Sequence, residues 1–87
     1  MNAAHKLHQC ENTAEQCRAL GLKVGDTIEG REDFHDGSWA VTRLTLLWLG
    51  SEVAVWSATE HSSEQAEWSP AEESADWTLE WRDWRKL

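Results

Sequence analysis

Apolar positions change their period once along this chain. Leu7, Cys10, Ala14, Cys17 and Leu20 fall at spacings of three and four, the stripe of one helical face, whereas from Val24 onward the spacing becomes two, the mark of strands. Thr13 followed by Gln16 forms a capping-box pair, and Gly21 is placed to end a last turn in the left-handed conformation. The stretch "TAEQCRALG" therefore predicts a short helix over 13–21, with Leu22 folding back onto it. Asn12 interrupts the upstream pattern, so 1–12 is expected to be a flexible N-terminal segment and 13–87 a single small domain.

In the strand region, Asp36-Gly37 suits a three-residue hairpin loop with glycine in the left-handed position. If that loop is 36–38, His35 faces Trp39 and Ile28 faces Leu46. The longest apolar stretch, "WAVTRLTLLWLG" over 39–50, reads as the central strand. Gly50-Ser51 then suits a two-residue type II′ turn, which sets Leu49 opposite Glu52, Trp48 opposite Val53, Leu46 opposite Val55 and Leu44 opposite Ser57. Facing residues share one side of a sheet. The core face expected from this register holds Ile28, Leu44, Leu46, Trp48, Val53 and Val55. The other holds Trp39, Val41, Arg43, Thr45, Leu47, Ala54, Trp56 and Ala58; it is half apolar, and the N-terminal helix is the natural cover for it.

The closing stretch "SADWTLEWRDWRKL" fits two periods. Trp77, Leu79 and Trp81 alternate as in a strand, while Trp77, Trp81 and Trp84 make a helical stripe. Leu79 falls off that stripe and the Trp-Thr-Leu composition favours β structure, so a final strand is expected, with a bulge near Asp83 returning Trp84 to the buried side. Between the strands, "HSSEQAEWSPAEESAD" over 61–76 breaks both periods and reads as a loop, either solvated or functional. The fold class is mainly β (α+β): a short N-terminal helix packed on a four-stranded antiparallel meander, compatible with a small SH3-like barrel.

Composition sharpens the picture in two places. Seven tryptophans in 87 residues make indole the main core material, since each ring buries about 150–250 Å². The net charge is −8, and residues 60–81 hold seven carboxylates and no Lys or Arg. Such a surface repels nucleic acid and anionic membranes and favours a basic partner. The candidate partner-binding residues are Glu60, Glu64, Glu67, Trp68, Glu72, Glu73 and Asp76. Trp68, stranded among the glutamates, either docks on the second sheet face or anchors a partner. The polar start "MNAAHKLHQCEN" predicts neither a signal peptide nor a membrane span, hence a cytoplasmic protein with reduced thiols.

Candidate chemistry is sparse. His5, His8, Cys10 and Cys17 are zinc-ligand types, but their spacing matches no paired-ligand pattern, and two cysteines seven residues apart on one helix stand about 10 Å apart. No metal or other cofactor is expected. Glu32, Asp33, His35 and Asp36 cluster as a polar hairpin tip does, and Gly50-Ser51-Glu52 lacks the flanking pattern of a nucleophile elbow. With no catalytic motif, a non-enzymatic role is expected. "EWRDWRKL" interleaves Trp81 and Trp84 with Arg82, Arg85 and Lys86, as single-strand binders do, but Glu80, Asp83 and the overall charge oppose a phosphate contact.

Three segments, "CRALGLKVGDTIEGRE", "LTLLWLGSEVAVW" and "WTLEWRDWRKL", resemble short proteins of tailed bacteriophages and enterobacterial prophages, over roughly residues 10–87. The resemblance implies a phage accessory protein working in the bacterial cytoplasm and carries over no residue roles. "LKVGDTIEG" is also similar to the opening strand of SH3-like barrels. The expected function is that of a small acidic protein that binds and inhibits or modulates a host protein, such as a nucleic-acid-binding defence component whose basic groove it occupies. The alternatives are a zinc- or thiol-dependent regulator and a single-strand nucleic-acid binder acting through the C-terminal Trp/Arg stretch.

Overall fold

The computed structural model describes residue 7, residues 9–80 and residues 82–87. Helix α1 spans Thr13–Ala19, and the strands are β1 (Thr27–Asp33), β2 (Trp39–Leu49), β3 (Ala54–Ser62), β4 (Glu72–Ser74) and β5 (Trp84–Lys86). All pairs are antiparallel, in the order β4-β3-β2-β1-β5. The fold is mainly β, as expected, but the sheet is open and has five strands. The loop expected over 61–76 contributes β4, and the closing strand is confined to Trp84–Lys86. Between them the chain crosses one sheet face to pair with β1 from the far side. Trp81, His5 and His8 lie outside the described residues.

The helix starts one residue earlier than Thr13 suggests. Asn12 is the cap, its side chain accepting from the Glu15 N–H at 2.9 Å, while the Glu15 carboxylate accepts from the Glu11 N–H at 2.6 Å. Asn accepts this bond as well as Thr does, so the motif slides one position. The C-terminal end follows the sequence. Gly21 takes φ +70°, its N–H donates to Arg18 O at 3.0 Å, and the Leu22 N–H donates to Cys17 O at 2.9 Å, closing a Schellman motif that delivers Leu22 to the core. Arg18 donates to Gly50 O at 2.6 Å, tying the helix to the β2–β3 turn. Of the segment expected to be flexible, Leu7 is buried in the core.

The two hairpin registers differ from the expected ones in different ways. In the first, Ile28 pairs with Leu44 rather than Leu46, a slip of two that leaves every side chain on its expected face. The left-handed Gly37, φ +90°, ends the turn, and the Phe34 N–H donates to Ser38 O at 2.9 Å. In the second, the turn takes four residues: Leu49 pairs with Ala54, and the Gly50 N–H donates to Val53 O at 2.9 Å. A bulge at Leu47 then shifts the ladder, so that Leu46 pairs with Trp56 and Leu44 with Ala58. The net slip is one residue, and it turns β3 over. Ala54 and Trp56 join Ile28, Leu44 and Leu46 inside, whereas Trp48, expected in the core, is 55% exposed and Val53 faces solvent. Trp48 instead lies over Gly50, where a Cβ would collide with its ring.

Helix α1 and the crossing segment cover this one buried face. Leu79 is fully buried yet belongs to no strand, because side chains satisfy its backbone. Its N–H donates to Gln16 Oε1 at 3.1 Å and its carbonyl accepts from Trp84 Nε1 at 3.1 Å, while Gln16 Nε2 donates to Glu80. The Trp84 ring lies over Gly30, where a Cβ would come within 2.8 Å of it, and meets Trp77 edge-on at 6.5 Å. Trp84 thus rejoins the buried side as expected.

The register is tested by paired truncations. Trp56→Ala is expected to lower unfolding stability by about 3–5 kcal/mol and Trp48→Ala by under about 1 kcal/mol, measured by urea denaturation followed by circular dichroism; the reverse order would restore the expected register. Gly30→Ala is expected to cost about 1–3 kcal/mol by pushing Trp84 off its seat.

Candidate functional site

Beyond β3 the acidic segment is pinned at three points. A tight turn forms first, with the Gln65 N–H donating to Ser62 O at 3.1 Å and His61 Nδ1 lying 2.9 Å from Gln65 O. Trp68 follows, stacked on the Arg43 guanidinium at 4.3 Å and beside His61 at 5.4 Å. Arg43 and His61 alternate with the buried positions of β2 and β3, so this contact lies on the sheet face away from the helix. His61 continues the row to Trp39 at 4.9 Å, and Arg31 covers Trp39 at 4.9 Å. Trp68 thus docks on the outer sheet face and remains 37% exposed. The third point is Ser69, whose N–H donates to Glu60 O at 2.7 Å; its Oγ accepts from the Glu60 N–H at 2.9 Å and its carbonyl accepts from Thr59 Oγ1 at 2.6 Å.

From Ser69 the chain runs through Pro70 into β4, where Glu72 pairs with Ala58 and Ser74 with Trp56. Paired residues share a face, so Glu72 and Ser74 project to the helix side and Glu73 to the other. Asp76 and Trp77 then rise over that side at the start of the crossing. The result is a cleft of about 550 Å³ lined by Ala58, Glu60, Ser69, Pro70, Glu72, Ser74, Asp76 and Trp77. Its apolar lining comes from Ala58, Pro70 and Trp77, and its charge from three carboxylates.

Arg82 lies near the cleft but is committed elsewhere. It donates to Thr42 Oγ1, reaches Glu32 at 3.7 Å, and lies 5.7 Å from the Trp77 and Trp84 ring centres. Thr42 in turn donates to Glu60 Oε1 at 3.2 Å, orienting that carboxylate. Among the described residues no ion pair involves Glu60, Glu72 or Asp76. Three acids beside an indole can accept hydrogen bonds from an ammonium or guanidinium while the ring covers its aliphatic stem.

Of the seven residues expected to bind a partner, the structure brings Glu60, Glu72 and Asp76 together. Glu64 and Glu67 are exposed in the turn, Glu73 points to the opposite side of β4, and Trp68 lies on the opposite sheet face. The lining residues Ser69, Pro70, Ser74 and Trp77 were not expected. The alternation of Glu72 and Ser74 is the sequence signal that places these two polar groups on one side of a strand, while Asp76 reaches the cleft from beyond the strand end.

Cys17 is buried in the core, and desolvation pushes its thiol up to about 11, with Arg18 pulling weakly the other way. Cys10 is half-buried, and both thiols are free. Among the described residues no three His, Cys, Asp or Glu side chains converge as metal ligands, and no helix is long and apolar enough to cross a membrane. At the first hairpin, Asp36 accepts from the Ser38 hydroxyl and N–H, which holds its carboxyl below the usual range, and Asp33 pairs with Arg31 at 3.1 Å. In the C-terminal stretch Arg85 pairs with Glu29 at 2.8 Å and Lys86 with Asp26 at 3.2 Å.

Two measurements check these environments. Iodoacetamide at about pH 8 is expected to label Cys10 in the native protein and Cys17 only after denaturation, read by mass spectrometry; native labelling of Cys17 would contradict its burial. Hydrogen bonds from Arg43 and then Arg85 hold the Glu29 carboxyl below its ordinary value. A carboxyl lowered in the folded state stabilises above its unfolded value, about 4.3, and loses that contribution as pH falls through the folded value. The urea midpoints of the wild type and Glu29→Gln are therefore expected to differ at neutral pH and to converge in acid. No family model, no curated protein and no solved structure matches the chain.

Proposed function

We propose that the protein is a non-catalytic acidic binding domain that captures a basic segment of a partner protein in the cleft between β4 and the crossing segment. The observation that carries this reading is that Glu60, Glu72 and Asp76 all line one cleft, beside the apolar Ala58, Pro70 and Trp77, with no cation paired to them among the described residues. The net charge of −8 adds a long-range field that steers basic partners toward it. The resemblance of three segments to phage and prophage proteins supports taking the partner to be a host protein. A nucleic-acid-binding defence component in the bacterial cytoplasm, inhibited when a basic segment of its nucleic-acid site is held in the cleft, meets both conditions.

The test is capture from a host-cell lysate by the tagged full chain at about 50 and about 500 mM salt, where surface charge interactions are progressively screened. Retention is expected to fall steeply with salt. The triple variant Glu60→Gln, Glu72→Gln, Asp76→Asn is expected to lose about tenfold or more in affinity for the captured partner, and Glu64→Gln, Glu67→Gln to lose little. Salt-independent capture, or equal capture by the triple variant, sinks the proposal.

A further inference from the structure

The cleft lies over the helix-side face of β3 and β4, and β4 is an outer strand of the sheet. β4 bonds to β3 on one side and, among the described strands, to none on the other. An unpaired edge presents free backbone donors and acceptors to any extended chain that fits beside it. Here the edge is selective, because two of its three residues are Glu72 and Glu73. In a chain of net charge −8 these acids oppose pairing with a second copy and leave the edge complementary to a cationic strand.

The alternation of side chains makes the geometry more specific. Glu72 and Ser74 project toward the cleft, where Asp76 and Trp77 stand beside them. A strand added along β4 has the same alternation, so every second side chain of the incoming segment lies on the cleft side and those between lie on the side of Glu73. Three residues of β4 span only about 10 Å, room for two cleft-side positions, i and i+2.

We infer that the partner segment binds as an extended strand beside β4, a sixth strand of the sheet, with Lys or Arg at alternate positions facing Glu72 and Asp76 and one such side chain lying over Trp77. This inference depends on the proposed capture of a basic segment and adds the conformation and spacing of that segment. A basic surface presented by a helix or a folded domain would meet the same charge without using the edge.

The experiment keeps the protein as it is and changes the peptide. The probe is a fluorescein-labelled peptide of about nine residues alternating Lys and Thr, compared with the same peptide N-methylated at every residue, which keeps its charge and removes the backbone donors of both strand edges. Anisotropy at low salt is expected to show binding of the first and at least tenfold weaker binding of the second. Hydrogen exchange across Glu72–Ser74 is expected to slow only with the first. Equal binding of both peptides, or binding without protection of β4, overturns strand addition and leaves charge-driven capture standing. Failure of both peptides to bind while lysate capture remains salt-sensitive also overturns it. Failure of both together with loss of salt-sensitive capture removes the underlying reading as well.

Discussion

The burial of Trp56 against Leu44, Leu46 and Ala54 organises the rest of the molecule. It requires an odd register slip between β2 and β3, supplied by the four-residue turn from Gly50 to Val53 together with the bulge at Leu47. With β3 turned this way, its small residues Ala54 and Ala58 leave room for Cys17 from the helix, for Leu22 just beyond it and for Leu79 from the crossing segment. The same register fixes where β4 pairs, and hence which side of it faces the cleft. The acidic site is therefore a consequence of how one indole found the interior.

The two sheet faces use tryptophan differently. On the helix side Trp56 is fully buried and Trp84 caps Gly30, where rings replace missing aliphatic bulk. On the outer side Trp39 and Trp68 lie under guanidinium groups, with His61 between them, so that the aromatic surface is shielded by side chains that also keep it soluble. Arg43 serves both purposes, stacking on Trp68 while it pairs with Glu29 at 2.8 Å.

Much of this was legible in the chain. The helix with its left-handed Gly21, the places of the two hairpins and the inward side of Ile28, Leu44, Leu46 and Trp84 follow from local pattern, whereas Val24, taken as the first strand position, is exposed in a turn ahead of β1. The places that escaped it share a cause. Gly50-Ser51 is compatible with a two-residue turn, and nothing local distinguishes that from a four-residue turn plus a bulge, yet the choice decides whether Trp48 or Trp56 is inside. Leu79 looked like a strand residue because its burial alternates correctly with Trp77, but Gln16, remote in sequence, satisfies its backbone instead. Within the candidate site the acids were visible only as a composition, and which three of them share a cleft was not, because that depends on β4 pairing with β3 over Trp56–Ala58.

Trp68 and Ser69 are neighbours in the chain, but one is stacked on the outer sheet face and the other walls the cleft on the inner side, so the backbone hooks over the rim of the sheet between them. To widen the cleft on that flank the chain must lift an indole from a guanidinium, worth about 0.5–1 kcal/mol where exposed, and give up the backbone bonds that join Ser69 to Glu60. For the capture proposed above, this wall of the cleft would already be in place before a basic segment arrives.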